Sequence, residues 1–412
     1  LQSAREYHNY VMGYYYSERS TAFPQLTITA TDGRSRDYAS GVTSPGTDPL
    51  IAEARTADLG ANWTIFSWGK VSAALRAAAI GIDNAEVKLA VQRQLVVEAV
   101  TTAFYNCLLA DELTAIARQN LAQKQRHFDE ASRRNTAGTA TDYDVLAAEV
   151  AVANARPEVI RAENSIRATR EQLAYLLGTG DSGVTARGSL AAAMAITPVP
   201  VENQALATAL AKRPELTDIS QQEQVAAELV TIANAGDKPS VALTGQYGWH
   251  ELAYGPGAED GRDWSAGVVL SYPIFDGFRT AGRVQQAESQ RATLAIRHAQ
   301  LRDGITLEVR TTLDRVREAE EIVTALSRTV QQAERLLTMA EKGFEAGVKT
   351  RLDVDDAQLN LDAARGNLAR ARRDYLVARV SLDRAMGTLA VPATPGAIAI
   401  PAMRGSGIFL HD

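Results

Sequence analysis

The sequence predicts a mixed α and β membrane protein. Four strands per subunit contribute to a shared, trimeric 12-stranded β-barrel, and a long antiparallel α-helical coiled coil continues it. Three observations predict this: an internal repeat offset by 209 residues, four segments of strict two-residue alternation, and alanine-rich heptads on helices too long for one globular core.

The repeat sets the organisation. Ile65-Phe66 returns as Ile274-Phe275, Ala137-Gly138 as Ala346-Gly347, Asp144-Val145 as Asp353-Val354 and Ala155-Arg156 as Ala364-Arg365, each 209 residues later. Gly178 returns as Gly387. An offset that holds this long without gaps implies rigid elements, because loops gain and lose residues. Upstream it drifts: Pro24 pairs with Pro239 at 215. The expected division is the end of an N-terminal helix (1–22), two barrel strands (23–66), a helical hairpin (67–178), an equatorial region (179–213), a helix (214–237), two more strands (238–275), a second hairpin (276–387) and a C-terminal equatorial segment (388–412).

The strands are expected at 25–31, 57–65, 241–250 and 264–272, where apolar and polar residues alternate. Each is about the length of a transmembrane barrel strand. Trp63, Trp249, Trp264 and Tyr272 are expected at strand ends on the apolar face, as in an aromatic girdle. A soluble β-sandwich would need more strands. Four strands cannot close a barrel, since the smallest have about 8. An open edge in lipid leaves backbone groups unsatisfied. Subunits must therefore pool strands, and three copies supply 12.

The helices carry heptads. Val354, Leu361, Leu368, Tyr375 and Leu382 are each followed three residues later by alanine: Ala357, Ala364, Ala371, Ala378 and Ala385. The pattern recurs from Val309 to Ala340 and, in the first half, from Val145 to Leu176. It predicts close-packed antiparallel helix pairs. A helix over 67–135, and its counterpart over 276–344, would run roughly 100 Å. Pro157 falls where the second half has Gly366, so a kink or break is expected at that level in each.

Bulk properties exclude other classes. The chain has 412 residues, 46% apolar and 22% charged, so its composition is not that of a disordered chain. A net charge of -6 argues against a nucleic-acid binder. No apolar run is long enough for a transmembrane helix, which leaves barrel strands untouched. The one cysteine, Cys107, permits no internal disulfide and reads as a small buried apolar residue. The five histidines lack ligand spacing, and no metal site or cofactor is expected. The glycine-rich stretch 178–188 lacks a P-loop ending, Asn62-Trp63-Thr64 is a chance sequon in a strand, and no nucleophile–base pair points to an enzyme. No export signal is visible. The chain opens inside a predicted helix, 1–16, with room for a processed segment or a lipid-anchor cysteine ahead of it.

Arg213-Pro214-Glu215-Leu216, the strand-to-helix joint Tyr272-Pro273-Ile274-Phe275-Asp276-Gly277 and the paired Ala-Gly turns resemble the TolC-type outer-membrane efflux family over nearly the whole chain. The resemblance implies a homotrimer in outer-membrane lipid, with a helical barrel through the periplasm. A periplasmic adaptor and an inner-membrane pump, of RND or ABC type, would be its partners. The duct would passively conduct drugs or other small toxic compounds. A protein-secretion duct is the alternative within the fold, and a coiled-coil scaffold is the alternative outside it.

By position, the resemblance makes Asp144, Phe344 and Lys349 the constricting set at the periplasmic tip, and Asp353 and Asp356 an inward acidic ring. The family usually has tyrosine and arginine where this chain has Phe344 and Lys349. Phenylalanine donates no hydroxyl bond, and lysine makes no bidentate contact. Simple capping of the second helix is the competing account of the acids. Asp355, between them, is expected to face solvent. The turns at Ala137, Gly138, Ala346 and Gly347 would dock the adaptor, although glycine there also serves the turn itself.

Overall fold

The computed structural model describes residues 2–37, 50–180, 183–194, 198–254 and 257–390. Most of the expected C-terminal equatorial segment lies outside them. Strand β1 (Gln25–Asp37) pairs with β2 (Leu50–Phe66), β2 with β3 (Ser240–Tyr254) and β3 with β4 (Gly257–Ser271), all antiparallel, in one sheet of that order. Every strand outruns its apolar alternation at the end away from the helices. Cross-strand ion pairs continue the ladder there: Arg34 with Glu53, Arg55 with Asp32 at 3.6 Å and Arg55 with Glu251 at 3.4 Å. Hydrophobic period alone is blind to such an extension.

Helix α1 (Gln2–Ser20) leads into β1. The long helices α2 (Lys70–Thr136) and α7 (Arg279–Glu345) follow β2 and β4, at 67 residues each. Their starts use repeat-related chemistry. Ser67 Oγ accepts from the Val71 amide at 3.3 Å, and Asp276, its counterpart, accepts from the Thr280 amide at 2.8 Å. Helices α3 (Asp142–Leu177) and α8 (Arg351–Ala385) return from the far tip. Between the halves lie α4 (Leu190–Ala193), α5 (Glu202–Lys212) and α6 (Pro214–Asn234). Proline at the first turn of α6 costs nothing, because that amide has no helical partner.

Contacts order the helices into two tiers. Near the sheet they run α1, α2, α6, α7; towards the tip they run α3, α2, α8, α7. The largest core forms between the tiers, where α4 and α5 cover α7 and α8 around Leu190, Val309, Leu313, Tyr375 and Leu382. The α8 seam is buried at every expected position except Ala378, which is partly buried. The α3 seam is not: of its expected residues only Val152 and Leu173 are buried. The reason is topological, since α8 packs on both α7 and α2 while α3 packs chiefly on α2.

Of the kink or break expected at Pro157 and Gly366, no break occurs. Both α3 and α8 run through those positions as continuous helix. One missing amide is tolerable in a helix held along its flank. Leu113 of α2 lies 3.7 Å from where a Cβ on Gly366 would stand, an ordinary contact distance.

Candidate functional site

Two regions can do chemical work: the two faces of the sheet and the far tip of the hairpins. Strand register assigns the faces. Leu26, Ala61, Gly245 and Ala266 share one row; Ile28, Leu59, Tyr247 and Trp264 share the next on the same side. This side is apolar from the Val241–Leu270 pair to the Trp249–Arg262 pair, about 27 Å along the strand. That matches the lipid-facing band of an outer-membrane barrel. The opposite side carries Thr27, Gln246 and Ser265, then Asp58 and Asp263 flanking Gly248. Gln246 donates to Asp58 at 3.1 Å.

Among the predicted aromatics, Trp249 and Trp264 lie in mid-strand rather than at strand ends. They occupy the last two rows before the apolar band gives way to ion pairs. Trp63 lies near the helix end of β2, and Tyr272 just beyond β4. Sequence reasoning missed a second aromatic group at the helix end of the sheet: Phe66, Trp68, Phe275 and Phe278, all exposed. Trp68 (φ 49°) and Phe278 (φ 66°) adopt left-handed backbone, which bulky residues rarely do. Each stacks edge-on against a neighbour, Trp68 on Phe66 and Phe278 on Phe275. Their available signal was the repeated strand-to-helix joint at 66–69 and 275–278.

At the tip, α2 ends at Ala137 and Gly138, and α7 at Ala346 and Gly347; both glycines have φ of 75°. Reciprocal caps then start the return helices. Thr141 Oγ1 donates to Asp144 at 2.8 Å and its backbone amide does so at 2.9 Å; Thr350 does the same to Asp353 at 2.7 and 2.8 Å. These backbone and hydroxyl bonds hold both carboxyls below their ordinary pKa. Lys349 reaches Asp353 of its own hairpin at 3.3 Å, not Asp144. Asp356 is exposed and has no ion pair among the described residues.

Asp355 does not face open solvent. It bonds Lys124 of α2 at 3.3 Å and Arg351 at 3.5 Å, linking the two hairpins. Phe344 and Asp144 line one cavity of about 390 Å³ with His127, Lys124, Arg351 and Asp355. The His127 Nε2 is buried there without a partner. Burial, and then the Arg351 charge, lower its pKa to about 4. Sequence spacing gave no hint of this cluster, because its members come from α2, α3, α7 and α8. Among the described residues no group of metal-ligating side chains assembles, and no helix is long and apolar enough to cross a membrane. Cys107 is buried as expected, and that burial raises its thiol pKa.

Comparison with known proteins gives the same picture. The family model for outer membrane efflux proteins matches residues 1–179 and 205–388. The chain is 24% identical to outer membrane protein TolC of Vibrio cholerae, over 90% of this chain and 84% of that protein. It is 24% identical to the toluene efflux pump outer membrane protein TtgC of Pseudomonas putida, over 90% and 77%. In fold it is similar to the Campylobacter jejuni CmeC outer membrane channel, with a TM-score of 0.81, 16% identity, and coverage of 95% and 84%.

Proposed function

Because this chain belongs to the outer membrane efflux protein family, we propose that three copies form a passive exit duct for small toxic compounds, fed by a periplasmic adaptor and an inner-membrane pump. The sheet lies in the outer membrane and the helices stand in the periplasm. One observation carries the trimer: the chain has two open flanks that match along its whole length. On one flank are β1, α1 and α3; on the other are β4 and α7. In lipid an unpaired strand edge is untenable. On α3 the first flank presents exposed Tyr143, Leu146, Val150 and Ile160; on α7 the second presents Leu307, Ile322, Leu336 and Met339. Such apolar stripes call for a covering partner, and a second copy supplies one for each.

The closed mouth is assigned to the tip. Asp353 and Asp356 stand on one side of α8, so three copies bring six carboxylates to a narrow opening, which favours cations. Asp144, Phe344 and Lys349 shape the constriction around that ring. The Ala137-Gly138 and Ala346-Gly347 turns are the outermost backbone and suit docking by an adaptor hairpin. The toluene efflux relative supports small apolar cargo.

The test is single-channel conductance in a planar bilayer, with mass by light scattering. Discrete cation-favouring steps from a trimer are expected. Asp353 is a helix cap, so Asp356→Asn is the cleaner probe: cation preference should drop while the trimer persists. Unchanged selectivity would remove Asp356 from the mouth, and a folded monomer that never conducts would sink the duct itself.

A further inference from the structure

The lipid-facing side of the sheet does not end in a simple aromatic belt. Above the apolar band the other arginines with described side chains on this side are paired, Arg34 with Glu53 and Arg55 with Asp32 and Glu251, in a row that also carries Asp260. Arg262 is different. It is exposed and has no ion pair or hydrogen-bond partner among the described residues. Register places it directly opposite Trp249, and Trp264 lies two residues along the same strand on the same side. Trp264 is 74% exposed and Trp249 37%. Beyond Arg262 comes the charged Glu251–Asp260 pair; before it lies only the apolar band.

A guanidinium at this boundary is not placed for solvent alone. Unpaired arginine facing hydrocarbon is unfavourable, and the cost fades at the headgroup level. Tryptophan rings settle at the same level. The guanidinium fork matches two phosphate oxygens at once, and its hydrocarbon stem can lie on apolar surface. We propose that Arg262, flanked by Trp249 and Trp264, clamps the phosphate of an anionic lipid headgroup in the outward-facing leaflet. The occupant is lipid rather than free phosphate because the site continues the lipid-facing band and opens sideways from it. This rests on the outer-membrane placement of the sheet and, because β4 is an edge strand, on β1 of a second copy bringing no carboxylate against Arg262; it does not rest on the tip.

The experiment uses the full chain exchanged into mixed micelles with equimolar phosphatidylglycerol and phosphatidylcholine, with retained lipid quantified by mass spectrometry. Wild type should enrich the anionic lipid. R262Q should lose about fivefold of that enrichment per chain, the effect of one basic side chain at an anionic surface. R262K should keep part of it, having charge without the fork. R34Q, which removes an already paired arginine, should keep all of it. Full enrichment in R262Q, equal loss in R34Q, or R262K no better than R262Q would overturn the clamp. Complete displacement of the lipid by inorganic phosphate would reassign the site to a free anion. Conductance of R262Q is measured in parallel. A conducting variant without lipid preference keeps the outcome separate from failure of the duct.

Discussion

At the scale of single residues, the tip is a set of carboxylates and one histidine whose protonation costs stability in each case. Asp144 and Asp353 have folded pKa values below the unfolded ones, so their caps contribute stability above about pH 4. That contribution is lost as pH falls through the lowered values. His127 is also depressed, to about 4, but a histidine gains charge on protonation. Between about pH 6.5 and about 4 the unfolded chain therefore binds a proton that the folded tip refuses, and stability falls with pH across that window. His127→Gln should flatten the dependence in hydrogen exchange of the tip amides. An unchanged slope would show that the histidine is solvated. Thr350→Ala should loosen the start of α8 by roughly 1 kcal/mol, seen as faster exchange at residues 351–354. Exchange at wild-type rates would mean that Asp353 caps without its threonine.

At the scale of elements, the α7–α8 seam alternates large residues with alanine, and alanine sets the spacing. Ala364 and Ala371 are buried, so a larger side chain has nowhere to go except between the helices. Replacing each by leucine should cost about 1–3 kcal/mol and lower the urea midpoint. A variant with an unshifted midpoint would refute close packing of the seam. The equivalent α3 position, Ala155, is only half-buried in the single chain, so Ala155→Leu should cost less. The contrast follows from neighbours: α8 is enclosed on two sides and α3 on one.

At the scale of the whole molecule, one charge cluster around the buried Arg213 ties the tiers together. Arg213, between α5 and α6, pairs with Glu308 of α7 and with Glu215 at 2.7 Å. Arg384 of α8 joins Glu308 at 2.5 Å and Glu98 of α2 at 2.7 Å. Gly387 passes so close that a Cβ would meet the Lys212 carbonyl carbon at 2.9 Å. Arg213→Met leaves carboxylates short of a buried partner and should cost roughly 3 kcal/mol in thermal unfolding. A Tm equal to wild type would mean that Arg384 alone satisfies them. Because the cluster spans α2, α6, α7 and α8, its loss should also disturb the flanks that meet a second copy. Trimer dissociation by light scattering at lower detergent stress would report that.

The amino-acid sequence by itself determined the periodic parts of this protein. The 209-residue repeat, the alternating strands and the heptads of α7 and α8 are one-dimensional signals, because a strand or helix face is set by spacing along the chain. The capping acid of the second hairpin tip, Asp353, and the family motifs were legible for the same local reason, whereas the capping roles of Thr141 and Thr350 were not read. Only the tertiary structure decided the outward length of the strands, where ion pairs between residues such as Arg55 and Glu251 take over from apolar period. It also decided the mid-strand positions of Trp249 and Trp264, the continuity of α3 through Pro157, and the meeting of Lys124, His127 and Asp355. These depend on partners as far as 231 residues away, as for Lys124 and Asp355, and no local pattern of spacing encodes which distant side chain a charge or a ring will meet.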